Sequence, residues 1–225
     1  MKQQVRLLDI EGTIGDIAFV RQTLFPYARA RFEPFLLKHW KRSDIQELIK
    51  SAGQFLQTPI EAARLFQEWS DADLKVTPLK DLQGLIWREG YETGTLRAHL
   101  YPDAIKAIRQ WADLDGGVWI YSSGSIGAQK LYFTYSDFGD VTSLLRGYFD
   151  TTSGPKTRAD SYTGIARSIG VSTTNILFLT DMPNEARAAR DAGCMAALID
   201  RSKSPDWSGS IDDLPAYGSL TALII

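Results

Sequence analysis

The chain contains 225 residues, of which 44% are hydrophobic and 23% are charged, and this composition is typical of a globular protein. Its 25 Lys and Arg residues nearly balance its 27 Asp and Glu residues, which gives a formal net charge of −2. This balance argues against a dedicated nucleic-acid-binding protein, because such proteins usually carry a strong basic excess. The length predicts one domain with an elaboration, or a domain that carries a smaller insert.

Cysteine and histidine are too scarce for several kinds of site. The single cysteine, Cys194, cannot form a disulfide within the chain and excludes zinc sites built from Cys. The two histidines are His39 and His99, so a zinc site of several His ligands is excluded and a Ser-His-Asp triad gains little support.

The apolar runs are short throughout the sequence. None approaches the roughly 18 residues that a membrane-spanning helix requires. Charged residues interrupt the apolar stretch within residues 1–9, which is not the pattern of a signal peptide. We therefore expect a soluble, cytoplasmic protein that does not bind a membrane.

These short runs predict the strands of a buried parallel sheet. Three of them end in polar residues and a fourth is similar in composition; they cover residues 5–8, 118–121, 176–179 and 195–199. Continuous apolar runs suit strands buried on both faces, although periodicity alone does not separate them from buried helix. Between them, helices are predicted over residues 125–135, 157–168 and 183–192. The alternation predicts an α/β fold with right-handed crossovers.

The interval between the first two predicted strands is longer than an ordinary crossover. It contains no convincing strand, and amphipathic helical stretches are predicted over residues 17–40, 43–51, 59–70 and 79–93. We expect a core formed by residues 1–14 and 98–225, with a helical domain inserted as residues 15–97.

Polar clusters follow the predicted strands, and the first of them holds two carboxylates, Asp9 and Glu11. An acidic pair before a glycine is commonly only a turn. A carboxylate can also act as the nucleophile that accepts a phosphoryl group, and a second one can protonate the leaving oxygen and then activate water. Crowding of the two acids would raise the pKa of one of them.

A second acidic cluster follows the strand predicted at residues 176–179. Asp181, Asp9 and a backbone carbonyl of the first loop offer the oxygen ligands that Mg²⁺ prefers, and Glu185 stands four residues further on. The alternative is that Asp181 caps the following helix, a position that Asp suits well.

Two further motifs offer groups that bind phosphate. Ser122 and Ser123 precede Gly124 at a predicted helix start, where hydroxyls and free backbone N–H groups form an anion site; simple capping is the alternative. Lys156 precedes another helix and could neutralise phosphate and the acids, although a lone lysine usually lies on the surface. Because open parallel sheets bind ligands beyond the carboxyl ends of their strands, all four motifs are predicted to meet there.

Taken together, the motifs resemble those of the haloacid dehalogenase superfamily: Asp9-x-Glu11-x-Thr13, Ser122, Lys156, and Asp181 with Glu185. Most phosphatases of that superfamily have Asp in place of Glu11, and Asp-Ile-Glu-Gly-Thr is similar to the first motif of the enolase-phosphatases. The similarity extends from residue 5 to about residue 199 and thins after Asp200. There Arg201 begins a segment that departs from an expected Arg-Pro-Gly, and Ile14 replaces a usual Thr; neither is a motif residue.

The resemblance implies a Rossmann-like parallel-sheet core with an inserted all-helical cap, one Mg²⁺ per subunit and a monomer. It implies enolisation and then dephosphorylation of 2,3-diketo-5-methylthiopentyl 1-phosphate to 1,2-dihydroxy-3-keto-5-methylthiopentene in methionine salvage, through an aspartyl-phosphate. By match to the motifs, the catalytic residues are Asp9 and Glu11, the metal residues are Asp9, Glu11 and Asp181, the phosphate-binding residues are Ser122, Ser123 and Lys156, and Glu185 supports them.

The sequence leaves some roles open. Glu11 is one candidate for the enolisation base, and residues 200–225 receive no role. Phe25, Tyr27 and Trp87 are candidates to contact the methylthio tail, but core packing explains them equally well. The alternative activity is a Mg²⁺-dependent phosphatase of the same superfamily that lacks enolase activity, and a non-catalytic binding protein is a further alternative.

Overall fold

The computed structural model describes residues 4–53 and 55–224. Residues 1–3, Gln54 and Ile225 lie outside the described residues. Residues 1–3 begin the segment 1–9, whose charges argue against a signal peptide. The chain divides into two compact units, Met1–Ile17 with Ala98–Ile225, and Ala18–Arg97. Among the described residues, no helix has the length and apolar character needed to cross a membrane.

The first unit is built on one seven-stranded sheet. Its strands, in chain order, are β1 Val5–Leu8, β2 Val118–Tyr121, β3 Leu145–Phe149, β4 Ile176–Thr180, β5 Met195–Ile199, β6 Ser208–Ile211 and β7 Leu214–Tyr217. Their spatial order is β3-β2-β1-β4-β5-β7-β6. Every neighbouring pair is parallel except β6 with β7. The predicted α/β class with a parallel sheet is therefore confirmed.

Nine α-helices occur among the described residues. They are α1 Phe25–Arg29, α2 Phe32–His39, α3 Ser43–Ser51, α4 Pro59–Asp71, α5 Thr77–Glu92, α6 Pro102–Ala112, α7 Ile126–Thr134, α8 Ala159–Ile169 and α9 Pro183–Asp191. The helices α1 to α5 belong to the unit Ala18–Arg97 and the others to the sheet unit.

The register of the central strands determines where the site can form. Leu8, the last residue of β1, pairs with Ile120 of β2 and with Leu179 of β4. The polar residues that follow these strands therefore leave the sheet at the same edge. The strands themselves are held by burial, since Val5, Leu7 and Phe178 are fully buried in one apolar cluster with residues of α8 and α9.

The unit Ala18–Arg97 has its own apolar core, which contains Phe32, Phe66 and Leu82. A capping box fixes the start of α4, because Thr58 accepts a hydrogen bond from the Glu61 backbone N–H and the Glu61 side chain accepts one from the Thr58 backbone. The amphipathic helical stretch predicted over residues 17–40 consists of a π-helix at Phe19–Leu24 followed by α1 and α2. The role of this unit as a cap stays a prediction.

Three strands and one helix fall outside the predicted elements. β3 lies at the sheet edge and carries Arg146 and Gly147, so it lacks the continuous apolar run of a central strand. β6 and β7 form a hairpin whose turn residues, Asp212 and Asp213, have φ values of 51° and 61°; Asp tolerates this conformation but signals it less clearly than glycine. The helix that was not predicted from the sequence is α6, which has Pro102 in its first turn.

Candidate active site

Four loops meet beyond the carboxyl ends of the central strands. Asp9 follows β1, Ser122 follows β2, Lys156 lies beyond β3, and Asp181 follows β4. Backbone hydrogen bonds continue the pairing to the start of this region, since the Asp9 N–H donates to the Leu179 carbonyl oxygen at 2.9 Å. Loops that are far apart in the chain therefore present their polar side chains in one place.

The centre of the cluster is an ion-pair network around Lys156. Its Nζ lies 2.6 Å from Asp9 Oδ1 and 2.9 Å from Glu185 Oε2. The Lys156 and Asp9 side chains are 7% and 2% exposed, so both charges are removed from water. A buried charge is tolerated only when it is paired, and this lysine has two carboxylates as partners. The interpretation of Lys156 as a surface residue is therefore wrong.

Burial and charge pull the titration of this network in opposite directions. Burial raises the pKa of Asp9 to about 8, and the ammonium of Lys156 acts against that shift. Burial would lower the pKa of Lys156, but the carboxylates of Asp9 and Glu185 outweigh it and raise that pKa. The lysine is thus held as a cation beside Asp9.

Two hydroxyl residues organise the network, and neither was predicted from the sequence. Thr180, the last residue of β4, is fully buried; its Oγ1 donates to Glu185 Oε2 at 2.9 Å and accepts from the Met182 N–H at 3.1 Å. Tyr162 of α8 donates to the Lys156 carbonyl oxygen at 2.7 Å. These bonds hold the loop that carries Lys156 and the side chain of Glu185 at the start of α9. Only the position of Thr180, between an apolar strand and Asp181, could have pointed to it.

Glu11 has a different partner from Asp9. The Ser122 hydroxyl, which is fully buried, donates to Glu11 Oε2 at 3.0 Å. The two carboxylates of the first motif therefore lie in different surroundings, one beside an ammonium and the other beside a neutral hydroxyl. Ser122 also accepts from the Gly124 N–H at 3.1 Å. Ser123, by contrast, is exposed, and its role toward phosphate stays a prediction.

Asp181 packs directly against the loop that follows β1. A Cβ added at Gly12 would lie 2.3 Å from Asp181 Oδ2, so glycine is what allows the carboxylate to approach the loop backbone. Burial raises the pKa of Asp181 to about 6. The N-cap of α9 is Met182, without a side-chain capping bond, so the interpretation of Asp181 as a helix cap is wrong. The alternative interpretation of Ser122 and Ser123 as helix caps is wrong as well, because Ser125 caps α7.

The acidic side chains do not by themselves form a ready-made metal cage. Within residues 4–53 and 55–224, no group of three or more His, Cys, Asp or Glu side chains is arranged to hold a metal ion. Asp181 lies against the β1 loop at Gly12, whereas the Glu11 side chain is held by Ser122. The assignment of Glu11 to the metal stays a prediction.

Replacing Gly12 with Ala tests this close packing. Gly12 has φ +77°, which a side chain disfavours, and the new methyl would displace Asp181. We expect a loss of stability of about 1–3 kcal/mol and a loss of most activity, measured by thermal unfolding and by phosphate release. Gly164→Ala is the matched control, because Gly164 lies within α8 with open space around it, and this variant should keep full activity. Equal stability and activity of the two variants would contradict the claim that Asp181 must pack against Gly12.

The three aromatic candidates for the substrate tail pack within the helical unit. Phe25 and Trp87 meet edge to face with ring centroids 5.8 Å apart, and the Trp87 indole N–H donates to the Leu24 carbonyl oxygen at 2.8 Å. The Arg31 guanidinium lies 3.6 Å from the ring centroid of Tyr27. Packing therefore accounts for all three side chains, and their contact with a substrate stays a prediction.

The fold and the clustered motifs define a hydrolase of the haloacid dehalogenase-like class, and the haloacid dehalogenase-like hydrolase family matches residues 5–193. The Enolase-phosphatase E1 of Alcanivorax borkumensis is 49% identical over 202 residues, covering 88% of this chain and 89% of that protein. That of Aquifex aeolicus is 42% identical, covering 95% and 97%. The crystal structure of the UTR4 protein of Saccharomyces cerevisiae has a TM-score of 0.83 and 34% identity, covering 97% and 98%.

The chain belongs to the Enolase-phosphatase E1 family of haloacid dehalogenase-like hydrolases. The resemblance found in the sequence and the expectation of an enzyme are both confirmed.

Proposed function

We propose that the chain catalyses a Mg²⁺-dependent enolisation and then dephosphorylation of 2,3-diketo-5-methylthiopentyl 1-phosphate. The observation that carries the proposal is the placement of two carboxylates in contrasting surroundings, Asp9 beside Lys156 and Glu11 beside Ser122. Phosphoryl transfer through an aspartate requires one nucleophile and one acid–base group, and this pair supplies both. We further propose that the protein acts as a cytoplasmic monomer on this small molecule, without a nucleic-acid or membrane partner.

The residues at the site fit a magnesium ion. Asp9, Asp181 and a backbone carbonyl of the β1 loop are hard oxygen donors, and Gly12 leaves Asp181 free to approach that loop. Mg²⁺ usually takes only one or two carboxylates and fills its other positions with water and substrate phosphate. When bound, the ion would neutralise charge on the phosphate and on the developing enolate.

Asp9 is the proposed nucleophile. One of its carboxylate oxygens bonds to phosphorus while the bond from phosphorus to the substrate oxygen breaks, which leaves a phosphoryl group on Asp9. Lys156 Nζ, 2.6 Å from Asp9 Oδ1, orients this carboxylate and provides positive charge for the incoming phosphate. The bonds of Glu185 and Tyr162 to the lysine and its backbone keep that charge in place.

Glu11 is the proposed acid and base. It gives a proton to the leaving oxygen, then takes a proton from the water that attacks the phosphoryl-Asp9, so that phosphate leaves and Asp9 is restored. Its partner Ser122 is a neutral hydroxyl, so Glu11 is not drawn into the ion pair that Asp9 makes. We propose that Glu11 is also the base for the enolisation, because that step needs a carboxylate that can accept a proton from carbon.

The competing function is a phosphatase for sugar phosphates or similar esters without enolase activity. With the diketone phosphate as substrate, we expect an enol absorbance that rises before phosphate is released. Removal of Mg²⁺ with a chelator should stop phosphate release, and added Mg²⁺ should restore it. Phosphate release from the diketone with no preceding enol would favour the simple phosphatase, and full turnover in the chelator would contradict the metal assignment.

A further inference from the structure

Arg201 links the C-terminal part of the chain to the loop that carries Asp9 and Glu11. It lies just after β5, and its side chain is only 16% exposed. Its Nε donates to the Thr13 carbonyl oxygen at 2.9 Å, and its Nη2 donates to the same oxygen. The guanidinium therefore holds the backbone of the β1 loop two residues beyond Glu11.

Tyr101 and Asp103, at the start of α6, also contact the Arg201 guanidinium. Arg201 Nη1 donates to Asp103 Oδ2 at 2.7 Å, and that carboxylate oxygen also accepts from the Leu220 N–H at 2.7 Å. The guanidinium carbon lies 4.2 Å from the ring centroid of Tyr101. Asp103 is 17% exposed, so the ion pair is largely shielded from water.

The β1 loop is closed by hydrogen bonds of its own and is tied to its surroundings by others. Within the loop, the N–H groups of Thr13, Ile14 and Gly15 approach the Ile10 oxygen at 2.9–3.1 Å, and the Gly12 N–H donates to the Gly15 oxygen at 2.8 Å. The far end is tied to α6 by the Tyr101 N–H, which donates to the Ile14 oxygen at 2.9 Å. The Thr13 carbonyl belongs to a fully buried residue and would lose a charge-assisted partner without Arg201.

We propose that Arg201 is a positioning residue for phosphoryl transfer, holding the β1 loop so that Asp9 and Glu11 keep their working geometry. The inference rests on the proposed function, because it assigns Arg201 a part in that reaction. It also gives a role to part of the C-terminal segment, since Arg201 bonds to the β1 loop and the Leu220 N–H bonds to Asp103, the partner of Arg201. An arginine suits the position, because its planar fork can donate to one carbonyl and to a carboxylate together.

The test compares Arg201→Ala with wild type in steady-state phosphate release from an aryl phosphate, normalised to folded protein. We expect kcat to fall about 10- to 100-fold with KM changed less than about threefold, because small misplacement of reacting groups costs rate more than binding. Added guanidinium should restore part of the kcat. The matched control is Arg187→Ala, which removes an exposed Arg–Asp pair with Asp212; it should keep wild-type kcat and show no rescue.

The outcomes separate this inference from the proposed function. Wild-type turnover of the diketone phosphate tests the proposed function, whereas the ratio of variant to wild type on the aryl phosphate tests Arg201. A kcat per folded molecule within about twofold of wild type in Arg201→Ala would overturn the inference. If that variant does not fold, Arg201→Lys decides the matter, because it keeps the charge but loses the fork; a reduced kcat supports the inference and an unchanged kcat overturns it.

Discussion

Replacing Asp9 with Asn should abolish phosphate release while leaving the protein folded. Asn is close in size to Asp and still accepts a bond from Lys156 Nζ, which lies 2.6 Å from the present carboxylate. It is a far poorer nucleophile toward phosphorus, so we expect kcat to fall by at least about 10⁴-fold. Thermal unfolding and phosphate release on the same preparation measure both effects.

A matched carboxylate on the surface provides the control for Asp9. Asp160 pairs with Arg158, and the two side chains are 87% and 65% exposed, so Asp160→Asn should change neither stability nor kcat noticeably. Turnover of Asp9→Asn near that of Asp160→Asn would exclude Asp9 as the nucleophile. Loss of the folded state in Asp9→Asn would show that the residue serves packing instead.

Replacing Lys156 with Met should produce the largest combined effect on activity and stability. The change leaves Asp9 and Glu185 buried without their shared ammonium, and removal of one partner from a buried ion pair typically costs about 3–5 kcal/mol. The positive charge that meets the substrate phosphate is also lost, so kcat/KM should fall by about 10²–10³-fold. Denaturant unfolding and steady-state kinetics measure these quantities.

Lys130 is the control for Lys156. It is exposed on α7, and Lys130→Met should shift the unfolding free energy by no more than about 0.5 kcal/mol. Unchanged kinetics in Lys156→Met would contradict its role toward phosphate. Unchanged stability would contradict the view that the ion-pair network holds the site together.

The central part of the fold could be predicted from the sequence because its strands are buried on both faces. The apolar runs at β1, β2, β4 and β5 are continuous and end at polar residues, a pattern typical of parallel strands. The edge strand β3 carries Arg146 and the half-exposed surface of an outer strand, so no comparable run marks it. The strands of the β6–β7 hairpin are short, and β6 carries the polar residues Ser208 and Ser210. No continuous apolar run marks this hairpin either.

The site was predictable as a set of motifs and less so as a network. Asp9, Ser122 and Asp181 follow from the ends of predicted strands, whereas the pairing of Lys156 with Asp9 joins residues 147 positions apart. A lone lysine carries no periodic signal, so its burial depends on the tertiary fold. The bonds of Thr180 and Arg201 likewise depend on how loops approach one another, which residue type alone does not reveal.

The most direct test of the account uses Glu11→Gln with an aryl phosphate, whose leaving group needs no proton from Glu11. Asp9 should still take the phosphoryl group, but the water step should slow because its base is missing. We predict a burst of phenolate equal to the enzyme present, and mass spectrometry after acid quench should find one phosphoryl group on Asp9. Release of phenolate and phosphate in equal amounts from the first turnover at the wild-type rate, with Asp9 unmodified, would contradict the account.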